Sequence, residues 1–566
     1  MAFLVVVFAT LLAVICSIVY IIRIGYRRRS HVNELRKRGI AIAPGWSWWT
    51  GHLLVLKRHL DSMPPDASVF LVLQKLAEEH SDTETFIIDF WPAATASLIV
   101  CGSESSLEVS NKYNLPKPQS QVELFRPMIG GQSVLTMNDE DWKRWRALFN
   151  PGFSAAHMAR LIPTVVESVE VFCEILREKA GGSIVQLDSL TTRLTMEVIA
   201  KVTLDMNLDN QRSEHRLSYA FNTILKWSAF WNTSILLKPV KAVVQKYYGH
   251  VLESIILSEL DKRFQEMKMK DATVEKPGAN RPISITAMAL GDYITQERQK
   301  RMDTSTVTKL DPSFAKIASN QIRMFIMAGN DSTSATLVYA YHLLSQYPDT
   351  LLKLRQEHNE VFGLRDDAAA MLKQNPTLLN QCRYTLAVIK ETLRIFPPAS
   401  TQRSGHFGAF ITDRQGNLCP TENLMVTIVH RAVHMNPRAW VKPDKFIPER
   451  WLVDPEDELY VKANSGAFRP FEQGPRNCIG QTLVYNELRI ILVLTARSFN
   501  IVPTYDEWDA MQLEQESKLG NMMQWGRSKA AVPKTVMGER AYPTSRAGGY
   551  PADGYPCRIT LEKSDE

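Results

Sequence analysis

No cysteine in this chain belongs to a Cys-x-x-Cys pair, and none sits in a Cys/His cluster of zinc spacing. A structural zinc site and a dithiol redox motif are thereby excluded. The seven cysteines, at 16, 101, 173, 382, 419, 478 and 557, are scattered and odd in number, which argues for reduced thiols in a reducing compartment. Concentrated positive charge is also missing. Lys and Arg number 66 against 60 Asp and Glu, a net +6 over 566 residues with no basic stripe, so no nucleic-acid partner is indicated. There is no internal repeat and no low-complexity tract. Nor does a Gly-x-Gly-x-x-Gly open a helix-like run, so the chain shows no nicotinamide or flavin module of its own. At 45% hydrophobic and 22% charged residues, wholesale disorder is excluded.

One further absence is local. Residues 2–22, "AFLVVVFATLLAVICSIVYII", contain no charge, a run long enough to cross a hydrocarbon core of roughly 30 Å. Arg23, Arg27, Arg28 and Arg29 follow, then Arg36, Lys37 and Arg38. The positive-inside rule leaves the body after this helix on the cytosolic side. A cleaved signal peptide would carry its charge before a shorter apolar core, so the segment reads as an uncleaved anchor. No second apolar run approaches this length. The domain reading is therefore an anchor at 1–23, a basic flank with a Pro/Trp hinge at 24–51, and one soluble domain at 52–566. Trp46, Trp48 and Trp49 in the hinge suit either a membrane interface or burial against the body.

The body reads as mainly α with a small β region. "ETFIIDFWPAATASLIVCG" predicts two short strands around Pro92. Helical periodicity dominates residues 139–201, and Asp311-Pro312 opens a long helical pattern to about Gln346. Residues 268–312 read as an exposed connector, polar at both ends, and 405–430 as short strands turning at Gly416.

The segment "PFEQGPRNCIGQ" carries the strongest chemical signal. Cys478 there is either a buried small hydrophobe or a sulfur ligand held by its neighbours. A thiolate on a haem iron needs N–H donors or dipoles aimed at it. Gly474 and Gly480 permit a tight loop and close approach to a flat macrocycle, Phe471 can shield the sulfur, and Arg476 can pair with a propionate. A chance match to Phe-x-x-Gly-x-Arg-x-Cys-x-Gly in such a chain is on the order of one in ten thousand.

That loop resembles the signature of the cytochrome P-450 family, and other segments are similar to family motifs in the family's order. "KETLRIFPP" supplies Glu391 and Arg394 at ExxR spacing; "HMNPRAWVKPDKFIPERW" supplies His434, Pro437, Phe446, Pro448, Glu449 and Arg450; "DWKRWRALF" supplies Trp142 and Arg146. The resemblance implies the family fold: one haem domain behind a transmembrane helix, Arg450 locked onto the Glu391–Arg394 pair beneath the haem, and Arg146 reaching a propionate. In "FIMAGNDSTSAT" it implies a locally opened helix, with Ala328 and Gly329 leaving room for dioxygen. Asp331 would deliver protons with Ser332 or Thr333; Ser332 stands where the family usually has threonine and lacks the methyl that restricts its rotamer.

The same resemblance implies haem b with an axial cysteine thiolate, dioxygen, and electrons from NADPH through a separate membrane-bound flavoprotein reductase. Lys143 and Arg144 are candidates for docking its acidic surface. The implied activity is insertion of one oxygen atom into an apolar small molecule, at the endoplasmic reticulum. Phe125, Met128, Phe230, Phe325, Ala399 and Thr401 are the candidate cavity residues. "ITAMALGDYITQ" and "GERAYPTSRAGGYPADGYPCRIT" are similar to filamentous-fungal members that tailor secondary metabolites. Alternatives are a xenobiotic or fatty-acid hydroxylase, a peroxide-rearranging haem-thiolate enzyme, and a non-catalytic haem sensor or membrane adaptor.

Overall fold

A single helix, Pro312–Gln346, runs through the largest apolar cluster of the protein. Its start is chemically specified. The Asp311 carboxylate accepts from the Phe314 amide at 2.8 Å, and Pro312 fills a first-turn position where no N–H is needed. Helices Leu187–Leu204, Arg383–Ile395 and Gln481–Thr495 pack against it. Gln481–Thr495 is buried along nearly its whole length, whereas Arg383–Ile395 is amphipathic and turns its apolar face inward. The computed structural model describes residues 2–228, 238–272, 284–301, 310–364, 367–520 and 534–562. Phe230 lies outside the described residues.

The β region forms three small sheets. Strands β1 (Thr85–Ile88), β2 (Ser97–Val100), β4 (Thr401–Ser404) and β7 (Met425–Ile428) make one, in the order β1-β2-β7-β4. β2 and β7 are parallel, with Leu98 opposite Val426, and the other two pairings are antiparallel. β1 and β2 are buried along their whole length, which explains the apolar runs Phe86–Ile88 and Leu98–Val100 behind their single hydroxyl residues, Thr85 and Ser97. β3 (Val185–Gln186), β8 (Phe499–Pro503) and β9 (Pro556–Leu561) form the order β3-β9-β8, and β5 (Phe410–Thr412) pairs with β6 (Leu418–Pro420) around the expected turn. β9 brings the C-terminal segment back onto the helical body.

Two segments differ from the sequence reading. The first helix does not stop at the basic flank but runs Ala2–Lys37. Through Ile22 it presents apolar side chains outward, and it is long and apolar enough to cross a membrane. Beyond that, Arg29, Val32 and Leu35 are buried against the body, at helical spacing hidden among charges. Arg29 pairs with buried Asp89 and donates to the Trp91 carbonyl at 2.8 Å, while the Trp46 indole donates to Asp89 at 3.1 Å. Trp49 stays exposed. The second difference is the connector expected at 268–312, which contains a helix, Ile285–Arg301. Ile285, Ala289, Leu290, Tyr293 and Ile294 form its buried face, and Tyr293 stacks on Phe314 at 3.8 Å. The polar residues at either end of the segment masked this short apolar stripe.

Candidate functional site

Beneath the cysteine loop lies a buried ionic cluster. Glu391 accepts from Arg394 at 3.0 and 2.8 Å, from Arg450 at 3.0 Å, from the Trp451 indole at 3.0 Å and from the Ile447 amide at 3.1 Å. The Glu391, Arg394 and Arg450 side chains are wholly inaccessible. Arg394 also donates to the carbonyls of His434, Pro443 and Lys445 at 3.0, 2.7 and 2.8 Å. Glu and Arg three apart on an exposed helix would contribute little; here burial and five donors to one carboxylate change their role.

His434 transmits this cluster to the loop. Its Nδ1 faces the Arg394 carbonyl at 3.0 Å and must donate, so its Nε2 accepts the Arg469 amide at 3.0 Å. Burial holds its pKa well below the ordinary histidine value, in keeping with that neutral tautomer. From Arg469 the loop turns back on itself. The Cys478 amide donates to the Phe471 carbonyl at 2.8 Å and the Asn477 amide to the Gly474 carbonyl at 3.1 Å. Gly474 has φ +81°, and a Cβ there would lie 2.5 Å from Asn111 Oδ1. Its glycine serves the approach to that neighbouring turn.

The Cys478 sulfur has open surface although protein surrounds the thiol, so it faces an internal cleft. Burial pushes its pKa up, and the Gly480 N–H and the Arg146 charge pull it back. Gly480 has an ordinary φ of −86°, so its contribution here is the amide donor, and the tight-loop role expected of it belongs to Gly474 alone. Phe471 packs edge-on against Tyr485 at 5.0 Å. Arg146, expected to reach a propionate, donates to the Asn477 carbonyl and side chain at 2.9 and 3.1 Å, next to the cysteine. Trp142 on the same helix, Asp139–Phe149, stacks under Arg476 at 4.5 Å.

Sequence reasoning missed two cations at this site. Arg403 of β4 is wholly buried, and all three of its guanidinium nitrogens lack a partner among the described residues. Lys117, in the loop before helix Gln119–Ile129, has its pKa lowered to about 7 by burial and by the charges of Arg403 and Arg476. Arg476 donates to the Met137 carbonyl at 2.6 Å and to Asn138 at 3.0 Å, and its Nε has no partner among the described residues. Glu472, the carboxylate among them, is paired with Arg469. An orphaned buried guanidinium is costly unless an anion meets it. A porphyrin with two carboxylates, held through Cys478, fits this donor set: Arg403, Arg476 and Lys117 would hold the carboxylates. The only sequence signal was Arg403's place in a strand two residues after Thr401.

On the central helix the structure separates the expected residues. Ala328 is exposed, and the Ser332 hydroxyl donates to its carbonyl at 2.6 Å. Gly329 does not open space for dioxygen; a Cβ there would lie 2.7 Å from Ile199 Cδ1, so its glycine serves packing against helix Leu187–Leu204. The helix is continuous through 328–333, without the local opening expected. Thr333 is wholly buried, which leaves Ser332 as the accessible hydroxyl of the pair. Asp331 is 7% exposed; burial raises its pKa from the ordinary 3.8 to about 7, offset in part by the Tyr550 hydroxyl, 3.2 Å away, and by the Arg546 charge. A buried carboxyl poised near neutrality suits a proton donor.

The candidate cavity residues divide likewise. Met128 and Phe325 are core, with Phe325 packed at 5.0 Å against both Phe149 and Phe153, and Phe125 is partly buried against the same cluster. Thr401 is buried and hydrogen-bonds Glu472, so it does not line a substrate surface, whereas Ala399 is exposed. Cavities of about 220 Å³, beside Trp145 and Tyr293, and about 250 Å³, beside Arg126 and Arg323, do not touch Cys478.

The family model described as Cytochrome P-450 matches residues 43–523. The chain is 33% identical to cytochrome P-450 monooxygenase polC of Polytolypa hystricis over 548 residues, covering 96% of this chain and 93% of that protein. It is 29% identical to cytochrome P-450 monooxygenase acrF of Aspergillus aculeatus, covering 84% of this chain and 94% of that protein. The crystal structure of the cytochrome P-450DA heme domain superposes with a TM-score of 0.66 at 15% identity, over 93% of this chain and 98% of that one, a likeness of fold.

Two predictions follow from the geometry. Glu391→Ala strands two buried guanidinium groups and is expected to lower unfolding free energy by about 3–5 kcal/mol, measured by denaturant titration. Asp331→Asn is expected to raise Tm more at pH 8 than at pH 5. The sign follows from a folded pKa raised to about 7: the cost of ionising the buried carboxyl grows from pH 3.8 upward and is complete above 7.

Proposed function

The chain belongs to the cytochrome P-450 family of haem-thiolate oxidoreductases, and on that footing we propose that it is a reductase-dependent monooxygenase acting on an apolar fungal metabolite. The observation that carries this reading is the pairing of a cleft-facing Cys478 sulfur with a buried Asp331 poised near neutrality. When bound through Cys478, a haem iron supplies dioxygen activation, and the electron density of the thiolate favours O–O cleavage. The protein's own residues do the rest. The Gly480 amide and the Arg146 charge favour the thiolate of Cys478, and the Arg403, Arg476 and Lys117 cations would hold the carboxylates. Asp331 holds a proton in a site that excludes water, and the Ser332 hydroxyl on the open face of the helix is the group nearest in sequence to pass it on. A peroxide-rearranging enzyme has no use for such an acid.

The matched relatives from Polytolypa and Aspergillus support a tailoring oxidation in fungal secondary metabolism. The N-terminal helix supports anchoring in the endoplasmic reticulum, with the basic residues from Arg23 onward keeping the body on the cytosolic face. NADPH electrons would then arrive through a separate flavoprotein on that membrane. Lys143 and Arg144, both exposed on the Asp139–Phe149 helix, are the proposed docking charges, although Lys143 also pairs with Glu140 at 2.7 Å.

Deleting the gene and isolating the metabolite that accumulates identifies the substrate. Purified enzyme with NADPH and reductase should oxidise it, and a hydroperoxide without reductase should not; product from hydroperoxide alone would overturn the reading. Cys478→Ala should lose the reduced-CO Soret band, and its retention would remove the ligand assignment. Reversing both docking charges, Lys143→Glu with Arg144→Glu, is expected to raise the KM for reductase about tenfold at low salt, with the CO band unchanged. An unaltered KM would discard the docking surface.

A further inference from the structure

The C-terminal segment 534–562 covers the buried face of the central helix at Asp331. Gly548, at φ +77°, lies so close that a Cβ would stand 2.8 Å from the Asp331 carbonyl oxygen. The Tyr339 hydroxyl donates to the Gly549 carbonyl at 3.2 Å, tying the same turn to the helix. Tyr550 then inserts, 2% exposed, and its hydroxyl donates to Asp331 Oδ1 at 3.2 Å. That hydroxyl also lies 3.2 Å from Thr192, whose own hydroxyl is 3.2 Å from Ser334, which lies 2.7 Å from Thr191. Arg546 lies over the Tyr550 ring at 4.7 Å and pairs with Asp188 at 2.5 Å; the arginine side chain is 55% exposed and the aspartate 7%.

We propose that Tyr550 is a positioning residue for proton delivery, holding Oδ1 of Asp331 so that Oδ2 is the atom that takes up and releases the proton. This rests on the reading of Asp331 as the proton donor. Among the described residues Oδ2 has no partner, whereas Oδ1 is held by the phenol. A buried carboxyl with one fixed and one free oxygen has a defined rotamer and a single proton-exchanging atom. The phenol is suited to this because it stays neutral: burial and the Asp331 charge keep its pKa well above the ordinary tyrosine value. The charged and titratable groups facing Asp331 are Tyr550 and Arg546 of the C-terminal segment, with Asp188 of the Leu187–Leu204 helix behind Arg546. Thr192 and Ser334 supply uncharged hydroxyls at the phenol and Thr191 backs Ser334, so the pocket has a polar lining without a second carboxylate touching Asp331 among the described residues. The turn at Gly548–Tyr550, well separated from the cysteine loop in sequence, thus takes part in proton delivery.

The test uses full-length holoenzyme as wild type, Asp331→Asn, Tyr550→Phe and Arg546→Gln, each checked for the reduced-CO band. Infrared difference spectra against Asp331→Asn identify the protonated carboxyl band, and its pH titration gives the Asp331 midpoint. The phenol donates to the carboxylate, so its removal favours the protonated form. Tyr550→Phe is expected to move the midpoint upward by about one pH unit and to shift the band. Arg546→Gln should move the midpoint in the same direction by less, and it serves as the test if Tyr550→Phe loses its haem. In turnover with reductase and the metabolite accumulated by the deletion strain, Tyr550→Phe should raise peroxide released per NADPH roughly fivefold. If Asp331→Asn leaves that ratio at the wild-type value, the proton-donor reading itself fails. If Asp331→Asn uncouples the enzyme but Tyr550→Phe matches wild type in band, midpoint and ratio, the assignment to Tyr550 alone is overturned. A raised ratio in Tyr550→Phe with band and midpoint unmoved would likewise overturn it, since it would reflect packing alone.

Discussion

The carboxylate of Glu391 is the point from which the geometry of the site is set. Two guanidinium groups, an indole and a backbone amide converge on it out of contact with water. Burying one anion with two cations is unfavourable unless every donor is used. Here the remaining Arg394 donors meet three carbonyls, and those of Arg450 meet the Val441 carbonyl at 3.2 Å. Satisfying those donors fixes the chain from His434 to Trp451, and His434 carries that order to the amide of Arg469. The cysteine loop is therefore positioned from below, by a cluster that never reaches the cleft.

Around that rigid base the protein keeps groups that its own folding leaves unsettled. Among the described residues Arg403 is buried without a partner, Lys117 is pushed toward neutrality by burial and by its fellow cations, and Asp331 is pushed toward neutrality by burial. Such groups cost stability without a counter-charge, and perturbed groups of this kind are a feature of functional sites. The first two fit a ligand with carboxylates, and the third fits the proton donor proposed above. The charge imbalance is thus a sign of what the cleft receives, and the Glu391 cluster offsets the resulting looseness by fixing the loop that carries the sulfur.

Much of this was legible along the chain. The cysteine loop, ExxR spacing and Trp-x-x-x-Arg pattern are local strings, because each fixes a turn or a helical face within a dozen residues. The long central helix announced itself through Asp311-Pro312 and its apolar period. The Ile285–Arg301 helix did not, since its buried stripe is short and flanked by polar runs, and the docked half of the first helix hid among arginines. Gly329 and Gly480 stood at motif positions whose physical uses differ from those expected: one makes room for Ile199, the other offers an amide to sulfur.

The sequence by itself determined the family, the cysteine loop, the membrane-length apolar run and the acid of the central helix, because spacing within one element specifies them. Only the tertiary structure decided which cations share a pocket and what covers Asp331. Lys117, Arg403 and Arg476 come from three distant segments, and Tyr550 meets Asp331 across 219 positions of chain. No local pattern encodes such meetings: they arise when β9 folds the C-terminal segment back against helices whose packing was specified elsewhere.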